Sequence, residues 1–110
     1  MIQAYERAVC QSMEHDIVVK FVPDVADKAA MIDGIERLFA PAAEIEGVHA
    51  VCVRRACVER ENRDDAMIVM TMEEEALPRF DASQIHRVWK RDYARFAADK
   101  TIFDCRGEER

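Results

Sequence analysis

Apolar positions along the chain change their spacing several times, and each change marks a structural element. His15 to Val22, HDIVVKFV, is short, β-branched and apolar, and it stops at Pro23, which predicts a strand. Alternation places His15, Ile17, Val19 and Phe21 on one face and Asp16, Val18, Lys20 and Val22 on the other. Both faces carry apolar residues, so both are expected to be covered. From Val25 the spacing becomes helical, through Ala29, Ile32, Ile35, Leu38, Phe39 and Ala42, with Asp24 as the expected cap. Gly34 lowers the local helix propensity by about 1 kcal/mol relative to alanine, and Pro41 kinks or ends the regular part.

Gly47 in EIEGVHAV supplies a turn, and a second strand is expected from Val48 to roughly Val58. Glu59 to Asp65, ERENRDD, reads as a solvated loop. Ala66 to Met72, AMIVMTM, reads as a third strand covered on both faces. EEEALPRF opens a short helix with its acidic residues at the positive N-terminal end. Asp81 and Gln84 have capping-box spacing. A long second helix is predicted from Ile85 to Asp99, burying Ile85, Val88, Trp89, Tyr93 and Phe96, before a last strand from Thr101 to Cys105.

The order is strand, helix, strand, strand, helix, strand. That is the α+β, ferredoxin-like βαββαβ pattern: a four-stranded antiparallel sheet with two helices on one face. The other face is left bare, and its apolar residues, Val18 and Val22 among them, argue for a second subunit. No linker or repeat divides the chain. Residues 1–12 are expected to be an accessory extension, with a short helix through Ala4 to Val9. Residues 13–106 form the domain, and residues 107–110 form a tail.

Charge narrows the partners. The formal net charge is −6 and the isoelectric point is about 5.1, so phosphate backbones and anionic membrane surfaces are repelled. No apolar run approaches the roughly 20 residues of a membrane span. The start MIQAYERAVCQS lacks the basic and apolar regions of a secretory signal, so a cytoplasmic location is expected. Cys10, Cys52, Cys57 and Cys105 form no C-x-x-C pair and no zinc-ligand spacing. They read as small, reduced core residues, with no metal and no cofactor expected.

The candidate chemistry rests on two histidines. His86 shares a helical face with Trp89 and Tyr93, and His15 shares its strand face with Ile17, Val19 and Phe21. If that strand face meets the helices, both imidazoles line one apolar cleft, where a side chain that titrates near neutral pH moves protons at low cost. The competing reading makes His86 a local cap and His15 a strand-end residue. Tyr93 is either a polar group of the cleft or a core aromatic. His49 reads as structural or exposed, and Arg87, Lys90 and Arg91 read as the solvated face of the helix.

Several landmarks resemble, in order, those of the stress-responsive A/B-barrel (Dabb) family. They are the histidine strand HDIVVKF, the turn IEGV, the third strand with its acidic helix start in DDAMIVMTMEEEAL, the segment RFDASQIHRVW, and the final strand IFDC. The resemblance runs from Met13 to about Cys105. It implies a ferredoxin-like subunit that pairs its sheet with a second copy into a dimeric α+β barrel. Most members of the family have no assigned reaction. One plant member, olivetolic acid cyclase, closes a polyketide by aldol condensation without a cofactor, and positions matching His86 and His15 belong to its active site. Ser83 and Gln84 here replace the family's first histidine and proline, and Phe80 stands where the cyclase has a tyrosine.

The resemblance therefore implies catalytic roles for His86 and His15, and a mostly apolar pocket of Phe80, Trp89, Tyr93, Val19 and Phe21 for a small hydrophobic or phenolic ligand. Plant-type cyclisation at a comparable rate is not expected. Two alternatives stand beside this expectation: a cofactor-independent monooxygenase or isomerase on the same dimeric fold, and a non-catalytic dimeric stress-response module.

Overall fold

The computed structural model describes residues 12–106. The helix expected through Ala4 to Val9, most of the N-terminal extension, Cys10 and the tail at 107–110 lie outside the described residues. The chain runs β1 (Ser12–Phe21), α1 (Lys28–Phe39), β2 (Val48–Arg55), β3 (Ala66–Glu73), α2 (Ala76–Asp81), α3 (Gln84–Val88) and β4 (Ala97–Arg106). The strands form one sheet in the order β2-β3-β1-β4, and every neighbouring pair is antiparallel. This is the ferredoxin-like arrangement the sequence predicts.

The helix-facing side of β1 is the side read from its alternation: Ile17, Val19 and Phe21 are buried together with Met13 and His15. On β3 the matching side is Ala66, Ile68, Met70 and Met72. The register places Ile17 opposite Ile68 and His15 opposite Met70, so the two central strands supply one continuous apolar floor. Ile32, Ile35 and Phe39 of α1 close over it, each large side chain contributing about 1.5–3 kcal/mol on burial.

Boundaries differ from the sequence reading where local chemistry overrides periodicity. The cap of α1 is Asp27, whose carboxylate accepts from the Ala30 N–H, rather than Asp24. Strand β2 ends at Arg55, three residues short of Val58. The long helix expected from Ile85 to Asp99 is only one α-helical turn: Trp89–Tyr93 widens into a π turn and Ala94–Phe96 tightens into a 3-10 turn. The wide turn lets Tyr93 stack on Trp89, with ring centroids 6.4 Å apart, while Trp89 meets Phe39 edge-on at 5.5 Å.

Gly34 of α1 makes room for that stack, because a Cβ there would stand 2.7 Å from the Tyr93 hydroxyl. Strand β4 then starts at Ala97, four residues earlier than expected, and the Val22 N–H donates to the Phe96 carbonyl at 2.8 Å. The cysteine reading also needs correction. Cys52 and Cys57 are exposed and Cys105 is half-buried, so none of these three is a core residue.

Candidate functional site around His15 and His86

His15 is the second residue of the buried stripe Met13, His15, Ile17, Val19 and Phe21 of β1 and is 5% exposed. Its neighbour across the β1–β4 ladder is Asp104. The register makes the contact: His15 Nδ1 is hydrogen-bonded to Asp104 Oδ1. A carboxylate on Nδ1 sets the tautomer and ring orientation and leaves Nε2 as the reactive nitrogen. Two strand positions 89 residues apart thus build an oriented imidazole.

The imidazole then meets the helical layer. His15 packs edge-on against Phe80 of α2 at 5.9 Å. Phe80 packs against His86 of α3 at 5.2 Å and against Phe39 of α1 at 6.0 Å. The two histidines therefore belong to one aromatic cluster between sheet and helices, with Phe80 between their rings. Phe80 is 1% exposed, whereas His86 is half-buried at the rim.

Local hydrogen bonds fix His86. Ser83 caps α3 by accepting from the His86 N–H at 3.2 Å, and its hydroxyl donates to the Phe80 carbonyl at 2.6 Å. The expected capping box of Asp81 and Gln84 is replaced by this Ser83 cap. One serine joins the backbone of the residue between the histidines to the backbone of the second histidine.

The other residues singled out from sequence divide cleanly. Trp89 is buried in the same cluster, and Tyr93 is half-buried on its outer side. Val19 and Phe21 lie further along β1, buried in the same apolar core. His49 is exposed and pairs with Glu73 at 2.7 Å, as a surface residue would. Arg87, Lys90 and Arg91 are exposed. Asp104 is the site residue the sequence reading missed. A hollow of about 340 Å³ lies away from this cluster, at the far end of the sheet, bounded by Lys28, Ile32, Arg55, Cys57 and Asp65.

No family model and no curated sequence matches the chain. Solved structures do. A dimeric ferredoxin-like protein of unknown function from Thermobifida fusca matches 86% of the chain and 90% of its own, with a TM-score of 0.74 and 12% identity. A hydroxynitrile lyase from Passiflora edulis matches 92% of the chain and 97% of its own, with a TM-score of 0.73 and 9% identity. A dabb family protein with a ferredoxin-like fold from Mesorhizobium loti matches 86% of the chain and 94% of its own, with a TM-score of 0.60 and 15% identity. At such identities the likeness is one of backbone architecture, and no helix among the described residues is long and apolar enough to cross a membrane. The chain is Dabb-like in its fold: a ferredoxin-like domain with the architecture that the motif resemblance implies.

Proposed function

We propose that the protein acts as a homodimer that holds a small, mostly apolar ligand beside His15 and His86 and moves a proton on it without a cofactor. The observation that carries this reading is the His15–Asp104 pair, a buried imidazole held by a carboxylate and aligned through Phe80 with a second imidazole at the rim. His15 is the base, Asp104 its positioning residue, and His86 the group that receives or returns the proton at the solvent side. Phe80, Trp89 and Tyr93 form the apolar wall. Val19 and Phe21 support the floor. A ligand enters by displacing the Phe80 ring, so small planar phenols and lactones fit better than long chains.

Dimerisation is supported by the dimeric ferredoxin-like neighbour and by the apolar residues on the sheet face opposite the helices. A non-catalytic dimeric module is the second reading, favoured by the close packing of Phe80 between the two imidazoles.

The experiment is proton–deuterium exchange at the acidic carbon of a β-keto lactone, followed by NMR, with wild type, His15→Ala, His86→Ala and Asp104→Asn. A positioned general base contributes about 10²–10⁴-fold, so His15→Ala should lose about that factor in exchange rate. Exchange equal in wild type and His15→Ala would overturn the catalytic reading in favour of the non-catalytic module.

A further inference from the structure

The sheet face away from the helices carries a donor cluster that the histidine chemistry does not use. Glu14 and Asp16 of β1 are two residues apart and so share that face. The β1–β4 register puts Cys105 directly opposite Glu14. One oxygen from each carboxylate and the Cys105 sulfur all lie within 4.8 Å of one another. Two carboxylates and a thiol thus meet on one patch, drawn from both ends of the described chain.

A second observation points to a ligand there. Asp16 is 8% exposed, and its Oδ1 is buried with no hydrogen-bond partner among the described residues. A buried acceptor without a donor costs about 1–3 kcal/mol, and more when it is charged. Among the described residues nothing cationic is paired with Asp16: the charged groups around it are Glu14 on its own strand, Asp104 on β4 and the imidazole of His15, which Asp104 already engages. Burial of a like-charged carboxyl pair is relieved either by a proton or by a cation.

We propose that Glu14, Asp16 and Cys105 bind one divalent transition-metal ion of the zinc class, with water in the fourth position. The donor set selects the ion. A thiolate with two carboxylates is too soft for magnesium or calcium and suits zinc or cobalt. Tetrahedral zinc with oxygen at 2.0–2.2 Å and sulfur near 2.3 Å spaces its donors by about 3.5 Å, so side-chain torsions alone close the cluster. Binding displaces the Cys105 thiol proton, and any proton shared by the two carboxyls, to solvent. Asp16 Oδ1 then gains the partner it lacks among the described residues. The site lies on the face that the proposed dimer covers, so the bound ion also tightens the dimer. The proposal does not depend on catalysis by His15.

Cobalt(II) and zinc titrations test it in a background of Cys10→Ser, Cys52→Ser and Cys57→Ser, which leaves Cys105 as the only thiol. The expected result is one equivalent per chain, micromolar or tighter, with a near-ultraviolet thiolate-to-cobalt charge-transfer band. Adding Cys105→Ser should abolish the band. Adding the isosteric Asp16→Asn, with folding checked by circular dichroism, should weaken binding by more than the roughly 10–100-fold typical of losing a supporting residue outside the ligand set. Absence of the band in the background variant, or zinc affinity unchanged by either added substitution, would overturn the assignment. Deuterium exchange measured in a chelator separates this outcome from failure of the histidine reading.

Discussion

His15 and Asp16 are chain neighbours, both almost fully buried, and they lead opposite lives. His15 points to the helices, is held by Asp104 and packs against Phe80. Asp16 points to the other face and has a buried oxygen without a partner. One strand therefore separates a layer that a single chain completes from a layer that it does not. On the helix side no fully buried side-chain oxygen or nitrogen among the described residues lacks a hydrogen-bond partner. On the far side Val18, Met67 and Val69 are half-buried and Phe103 is 60% exposed, beside an acidic pair that makes no salt bridge among the described residues. In the proposed dimer, stability of the single chain belongs to the first face and association to the second.

That contrast is broken most severely from the helix side. Phe39 is fully buried and touches both Phe80 and Trp89, so Phe39→Ala should cost about 3–5 kcal/mol of unfolding free energy. Urea unfolding followed by fluorescence of Trp89 measures it. The same measurement on Phe103→Ser, with its ring exposed on the far face, should show almost no loss in the isolated chain. Sedimentation should show the dimer lost instead. If Phe103→Ser unfolds the chain as Phe39→Ala does, the division between the faces fails.

A smaller effect separates the two faces by pH. Burial raises the Asp16 carboxyl from 3.8 to about 6, with the hydrogen bond and charge of Glu14 and the charge of Asp104 adding to it and His15 opposing. The folded chain thus holds a proton between these two values that the unfolded chain releases. Stability from this group is complete below about pH 4 and is lost as the pH rises through 6, by at most about 3 kcal/mol at roughly 1.4 per unit. Unfolding of the dilute chain in a chelator should follow that slope, and Asp16→Asn should flatten it. A slope unchanged in Asp16→Asn would assign the titration to another group. Zinc should reverse the loss at neutral pH if the ion takes the place of the proton.

The sequence reveals the complete face far better than the incomplete one, for physical reasons. The period-two pattern of His15, Ile17, Val19 and Phe21 is written by burial, and burial is what the structure shows. Strand β4 is an edge strand with Ile102 and Phe103 exposed and charged residues on both sides, so its sequence carries little alternation and its first residues read as helix. The π turn at Trp89–Tyr93 keeps aromatic residues four apart, which the same spacing in an α-helix also does. Asp104 and Cys105 acquire meaning only through the register that brings them to His15 and Glu14, and no local pattern encodes a pairing across the whole domain. Phe80 enters the sequence reading only through the motif resemblance, and the 5.2 Å approach of its ring to His86 depends on how α2 and α3 meet, which no periodicity encodes.

Gly47 tests the join between the layers on a scale of about 1–2 kcal/mol. It holds a positive φ of 92° in the turn before β2, where a Cβ would lie 2.9 Å from the Ala76 Cβ of α2. Gly47→Ala should therefore destabilise the helix side through both backbone strain and the clash, and leave dimer affinity unchanged. Unfolding and sedimentation of the same sample check both halves of that statement.

The smallest expected change falls at Ser83, and it discriminates most finely between a site and a structural cluster. Its hydroxyl caps α3 at His86 and donates to the Phe80 carbonyl. Loss of an N-cap costs about 1 kcal/mol, so Ser83→Ala should lower stability by that amount. Ser83→Asp restores the acceptor for the His86 N–H and places a negative charge at the helix N-terminus, so it should recover most of the cap. Neither variant touches His15 or Asp104. If His86 only packs, deuterium exchange should be the same in both variants as in wild type once stability is matched by temperature. If His86 relays the proton, Ser83→Ala should slow exchange more than its stability loss predicts, because the cap holds the ring against Phe80, and Ser83→Asp should rescue the rate together with the fold.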